Sequence, residues 1–171
     1  PYQWNELRVP LFCGSGYLPR NSRWFWMDTS HQRTYWDEIE ILVPDHPVVA
    51  GLGNRIYEYP LDIDHNSPGD VGEGTLVASI INDNGEEAPM IVAWGPDDEF
   101  TAAGGQVHTH ARLFLPILRY HEANGLGNTS DPLVDGDFEN YTEDGLMMIE
   151  QGLQWLNSFN EPSGIETWSL H

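Results

Sequence analysis

Apolar and polar positions alternate along this chain in short blocks, with one long helical stretch near its end. The most apolar block is residues 41–52, ILVPDHPVVAGL, which breaks at Pro44-Asp45-His46-Pro47 and resumes before a glycine. That pattern predicts a buried strand over 38–43, a sharp proline turn, and a short helical turn closed by Gly51 or Gly53. His46 is expected to fix this turn rather than to catalyse. Ahead of it, residues 7–13 (LRVPLFC) predict a buried strand that delivers the small-residue turn Gly14-Ser15-Gly16. Residues 19–28 carry a proline near a helix start, but Trp24, Phe25 and Trp26 are too close together to share one helix face.

After the 41–52 block the pattern becomes that of short strands joined by polar turns. Residues 55–59 read as a strand and residues 60–73 as a long acidic loop. Residues 75–81 and 88–94 read as a hairpin whose connector contains Asn84-Gly85, a strong turn signal because both residues tolerate positive φ. Residues 95–103 form an acidic turn, and 106–111 a further strand. Residues 113–123 predict a helix with Pro116 in its first turn, ended by Asn124-Gly125. Residues 140–159 are the clearest helix: Asn140 caps it, Glu143 and Asp144 favour the positive end of its dipole, and Leu146, Ile149, Leu153 and Leu156 share a face. The expectation is a single α/β domain over residues 1–160 with a mixed sheet containing an antiparallel hairpin, and a tail over 161–171.

Composition narrows the classes. A chain of 171 residues, 40% apolar, buries one ordinary core. No apolar run reaches the roughly eighteen residues of a membrane span. Asp and Glu number 27 against seven basic side chains, all arginine, for a net charge of −20. Such a surface repels nucleic acid and anionic membranes and suits salty surroundings, where screening relieves self-repulsion. A salt-adapted, extracellular or periplasmic protein is expected. The absence of an initiator Met fits a mature, cleaved or truncated product whose export signal lay upstream. The single cysteine, Cys13, excludes an internal disulfide framework.

Three sets of residues carry candidate chemistry. Cys13 ends a predicted strand at a small-residue turn, and His108-Thr109-His110 follows far downstream. A thiol and an imidazole in this order can form a nucleophile and base pair, against the alternative of an inert buried thiol. His108 and His110, two apart on a strand, face one side, as a shared metal or cleft site requires. Asp62, Asp64, Asn66, Asp70 and Glu73 stand at positions 1, 3, 5, 9 and 12 of an EF-hand-like loop, where hard oxygens would take calcium. Ser67 and Pro68 depart from that loop's pattern, and the alternative is a solvated acidic loop. Asp131, Asp135 and Asp137 form a second acidic cluster. Trp24, Trp26 and Trp36, with Tyr35, suit either carbohydrate stacking or a subunit contact.

Taken together, His46-Pro47-Val48-Val49-Ala50-Gly51-Leu52, the hairpin over 75–94, Gly104-Gly105-Gln106-Val107-His108 and the closing helix with Gly152-Leu153-Gln154-Trp155 resemble the class I glutamine amidotransferase-like fold. The nearest branch is the trehalose-utilisation (ThuA-like) family, and the resemblance spans residues 7–159. It implies a flavodoxin-like mixed sheet of which this chain holds the C-terminal portion, so that another chain or segment completes the sheet. It also implies a Cys at a strand-to-helix elbow and a later His-x-Glu. Here Cys13 lacks a Gly two residues before it, and His110 stands where the carboxylate belongs. The expected function is therefore a non-catalytic, amidotransferase-like binding or structural module of a larger exported protein or assembly. The alternative is a hydrolase or lyase acting on a small carbohydrate-derived substrate through Cys13, His108 and His110.

Overall fold

Residues 75–94 form the middle of the sheet because they are apolar on both faces, the signature of a strand pair covered from two sides. A computed structural model describes residues 4–36, 39–56, 61–82, 84–100, 106–107, 110–116 and 143–159. In chain order the strands are β1 (Leu11–Cys13), β2 (His31–Trp36), β3 (Ile39–Ile41), β4 (Arg55–Ile56), β5 (Leu61–Asn66), β6 (Thr75–Ile81), β7 (Glu87–Trp94), β8 (Glu99–Phe100), β9 (Gln106–Val107) and β10 (Arg112–Phe114). Helix α1 (Glu143–Asn157) follows, and a 3-10 turn, Pro47–Val49, lies between β3 and β4. Six strands pair in the order β1-β10-β7-β6-β3-β4, with β1 parallel to β10 and the other neighbours antiparallel. β2 pairs with β5, and β8 with β9, as separate ribbons. A mixed sheet with a helix against it is the α/β arrangement that the sequence predicts.

The two faces of the sheet are covered differently. Phe12, Leu113 and Ala93 are opposite one another across β1, β10 and β7 and face α1. Cys13, Phe114 and Val92 form the next row and face the other way, against Trp26, Met27, Trp94 and Phe100. One layer is thus a helix and the other an aromatic cluster supplied by the 24–27 loop and by Trp94 and Phe100 at the ends of β7 and β8. Within that cluster Trp26 stacks on Phe100 with ring centres 5.6 Å apart and meets Trp94 edge-on.

The hairpin forms as predicted. Gly85 takes φ +77°, and Asn82 Oδ1 accepts the amides of Asn84 and Glu86 at 3.0 and 2.9 Å. The turn after β3 also matches: His46 Nδ1 accepts the Val48 amide at 3.3 Å and Gly51 takes φ +84°.

Other expectations are corrected. Residues 19–28 form a series of turns, not a helix, because Phe25 sits at φ +62° and both Arg23 and Phe25 amides donate to the Arg20 carbonyl. Residues 61–66, expected in an acidic loop, are strand β5. Leu113 and Phe114, expected to open a helix, belong to β10, where pairing on both edges with β1 and β7 overrides the helical pattern. The predicted tail and residues 117–142 lie outside the described residues.

The apolar face of α1 is also displaced from the expected one. Leu146 and Leu153 are 42% and 51% exposed, whereas Gly145, Met148, Gly152 and Leu156 are buried. Gly152 explains the rotation: a β-carbon there would lie 2.7 Å from Leu113 Cδ2, so the missing side chain lets the helix lie close on the sheet.

Candidate functional site

The C-terminal end of β1 is where the sequence directs attention. Cys13 is buried beneath the aromatic layer, and its Sγ–H points back to the Ser15 carbonyl at 3.5 Å. Burial pushes the thiol up to about 12, outweighing the downward pull of that hydrogen bond. At neutral pH the sulfur therefore stays protonated, and a protonated, buried thiol is no nucleophile.

Of the two candidate histidines, His110 does not meet it. In the parallel register Cys13 lies opposite Phe114, and the Leu11 amide donates to the Ala111 carbonyl. Ala111 and Phe114 are three residues apart along an extended chain, about 10 Å. His110 precedes Ala111, so it stands at the opposite end of β10 from Cys13. His108 lies outside the described residues.

The first three calcium candidates are spread along a strand. Asp62, Asp64 and Asn66 lie along β5, so the first and last are about 13 Å apart, whereas the ligands of one calcium ion lie within about 2.6 Å of it. Asn66 is buried, and its Oδ1 accepts from the Thr29 hydroxyl at 2.8 Å. Asp70 Oδ1 accepts the Gly72 amide at 2.8 Å, closing a turn, and Glu73 Oε2 accepts the Glu99 amide at 2.9 Å, tying its loop to β8. Among the described residues no group of three or more His, Cys, Asp or Glu is placed to hold a metal ion. Of the tryptophans offered as a sugar platform, Trp26 is fully buried and Trp24 half-buried between Trp4 and Trp26. Trp36 and Tyr35 lie on β2.

What the structure adds is a polar knot beside β1. Arg112 is completely buried, with Nη1 donating to the carbonyls of Val9, His110 and Ala111 at 2.8, 3.0 and 3.1 Å. Its Nη2 donates to those of Leu7 and Asn5 at 2.8 and 3.4 Å. Asn5 is buried too: its Oδ1 accepts Trp26 Nε1–H at 2.7 Å, and its Nδ2 donates to the Trp24 carbonyl and Gln106 Oε1. The signal for Arg112 in the sequence is a charge embedded in an apolar run, Ala111-Arg112-Leu113-Phe114-Leu115; burying such a residue requires hydrogen-bond partners, which Nη1 and Nη2 find here while Nε does not.

This knot holds the segment leading into β1, the last strand on this side of the sheet among the described residues. Leu11 and Cys13 bond to β10, so by alternation the N–H and C=O of Phe12 point away from the sheet, as does the N–H of Gly14. Pro10 occupies the same outward edge and has no N–H to offer. Leu7 and Val9 are 38% and 51% exposed immediately before it.

No family model, curated protein or solved structure matches the chain. Among the described residues no helix is long and apolar enough to cross a membrane.

Proposed function

We propose that the chain is a non-catalytic module of the class I glutamine amidotransferase-like type, nearest the trehalose-utilisation branch and flavodoxin-like in plan. It binds or holds together parts of a larger exported protein or assembly. The observation that carries this reading is the place of Cys13: the residue in the nucleophile's position is buried, its thiol pushed up by that burial, and it lies at the far end of the strand pair from His110. A site without a usable nucleophile leaves packing and binding as the roles of this end of the sheet.

Among the described residues β1 has a partner strand on one edge only, which supports the second half of the reading. Another chain or segment extends the sheet there, pairing through Phe12 and Gly14 because Pro10 blocks the position before them. Exposed Leu7 and Val9, together with Leu146 and Leu153 on the helix that packs over β1, supply apolar surface for the same contact.

Amide hydrogen exchange tests this directly. In the isolated chain the Phe12 and Gly14 amides are expected to exchange close to the unprotected rate. In the assembly isolated from the source, their exchange should slow by about tenfold or more, since a bonded strand opens rarely. Equal exchange at these amides in both samples would remove β1 as the docking edge.

A further inference from the structure

All seven basic side chains of this chain are arginines, and two of them converge on one ring. Arg20 Cζ lies 3.9 Å from the centre of the Tyr17 ring and Arg23 Cζ 4.8 Å from it, while Arg23 Nη2 donates to the Tyr17 hydroxyl. Two guanidinium groups this close repel each other, and stacking on an exposed ring only partly offsets the repulsion. With 27 acidic residues available, pairing each arginine with a carboxylate would be the simple remedy. Among the described residues neither has one. The acidic residue of the same loop, Asp28, accepts instead from Asn21 Nδ2 at 2.9 Å. Arg20 Nε is buried with no acceptor, and the guanidinium rests on the Tyr17 ring.

The loop that holds these groups is built tightly. The Trp24 amide donates to Leu18 O at 2.9 Å, the Arg23 and Phe25 amides both donate to Arg20 O at 3.1 Å, and the Trp26 amide donates to Pro19 O at 2.9 Å. Phe25 closes the turn at φ +62°, a conformation that bulky side chains avoid. Fully buried Trp26 anchors the far end. The two arginines are thus preorganised. They also stand in the connection leaving the C-terminal end of β1, beside parallel β10, the end of a strand pair where open α/β sheets bind ligands.

We infer that the loop of residues 15–25 is a binding site for a small oxyanion, the phosphate or carboxylate group of a compact molecule, gripped by Arg20 and Arg23 over Tyr17. Guanidinium donors match the planar oxygens of either group, and a bound anion relieves the repulsion between the two cations. The ligand must be small, because a net charge of −20 repels a polyanion more strongly with each charge it carries. This site is independent of whether β1 docks a partner.

The test titrates the full chain with inorganic phosphate and, in a separate arm, with acetate, at constant ionic strength maintained with sodium chloride. The signals followed by NMR are the arginine side-chain groups and the Tyr17 ring. Saturable shifts confined to residues 15–25 are expected in at least one arm, and the arm that saturates at the lower concentration names the group. Arg23→Gln, at an exposed position, and Arg20→Gln should each weaken binding by about tenfold or more, the loss of one charge-assisted contact. Arg8→Gln, an exposed arginine outside the loop, should leave it unchanged. Should Arg20→Gln fail to fold, Arg23→Gln decides alone. Shifts that stay linear in both anions, or equal affinity in wild type and Arg23→Gln, overturn the site.

Discussion

Arg112→Met is expected to lower the stability of the folded chain by about 3 kcal/mol, read as a fall in the urea midpoint with an unchanged slope. The guanidinium donates to five backbone carbonyls, from Asn5, Leu7, Val9, His110 and Ala111. Hydrogen bonds from a charged donor contribute about 1.5–3 kcal/mol each, and carbonyls left unserved in a buried place add to the loss. Against this stands the cost of burying the cation, visible in a side chain pushed down to about 10 by burial. Its folded value lies below its unfolded one, so this cost is fully present at neutral pH and is relieved only as pH rises above about 10. The carbonyl contacts outweigh it at neutral pH, which sets the sign of the prediction. Lysine, with its donors on one nitrogen, cannot span the five acceptors, and Arg112→Lys should recover only part of the loss. A change below about 1 kcal/mol for Arg112→Met would mean that water serves these carbonyls instead.

Trp26→Ala is expected to cost about 4 kcal/mol, the scale of deleting a large buried aromatic. Trp26 is fully buried and touches Trp24, Trp94 and Phe100, so its removal opens a cavity in the layer that covers Cys13. It also releases Asn5 Oδ1 from its 2.7 Å hydrogen bond. Trp26→Phe separates the two contributions: most of the ring packing stays, and the lost N–H leaves a buried amide oxygen costing about 1–3 kcal/mol. If Trp26→Phe and Trp26→Ala prove equally mild in thermal or urea unfolding, the aromatic layer is not the second core that the packing indicates.

The parts of this fold legible in the sequence are those set by local periodicity. The hairpin β6–β7 follows from two apolar runs flanking Asn84-Gly85, and the His46 turn from its prolines and Gly51. Strand β5 was legible in the alternation Leu61-Asp62-Ile63-Asp64, but the density of acids there favours a loop in any reading that weighs charge first. The start of β10 looks helical because Pro116 suits a helix's first turn; only pairing with β1 and β7, distant in the chain, decides otherwise. On α1 the predicted face is half right: Ile149 and Leu156 pack on the core, but Leu146 and Leu153 are exposed, because the contact centres where Gly152 leaves room. At the candidate site, Cys13 was found from its place at a strand end, but its burial under Trp26 and Phe100 depends on segments remote from it. Asn5 gives no sequence signal, because its partners at Trp24, Trp26 and Gln106 are set by tertiary packing alone.

The central claim, that the strand-end cysteine is sealed and the module does no thiol chemistry, is tested most directly by the rate at which Cys13 reacts with an aromatic disulfide reagent at pH 8. With its thiol pushed up to about 12, Cys13 in the folded chain should react about a thousandfold more slowly than in urea-unfolded chain, and His108→Ala should not change that rate. Rapid reaction of the folded protein, lost in His108→Ala, would contradict the account and restore the Cys–His reading.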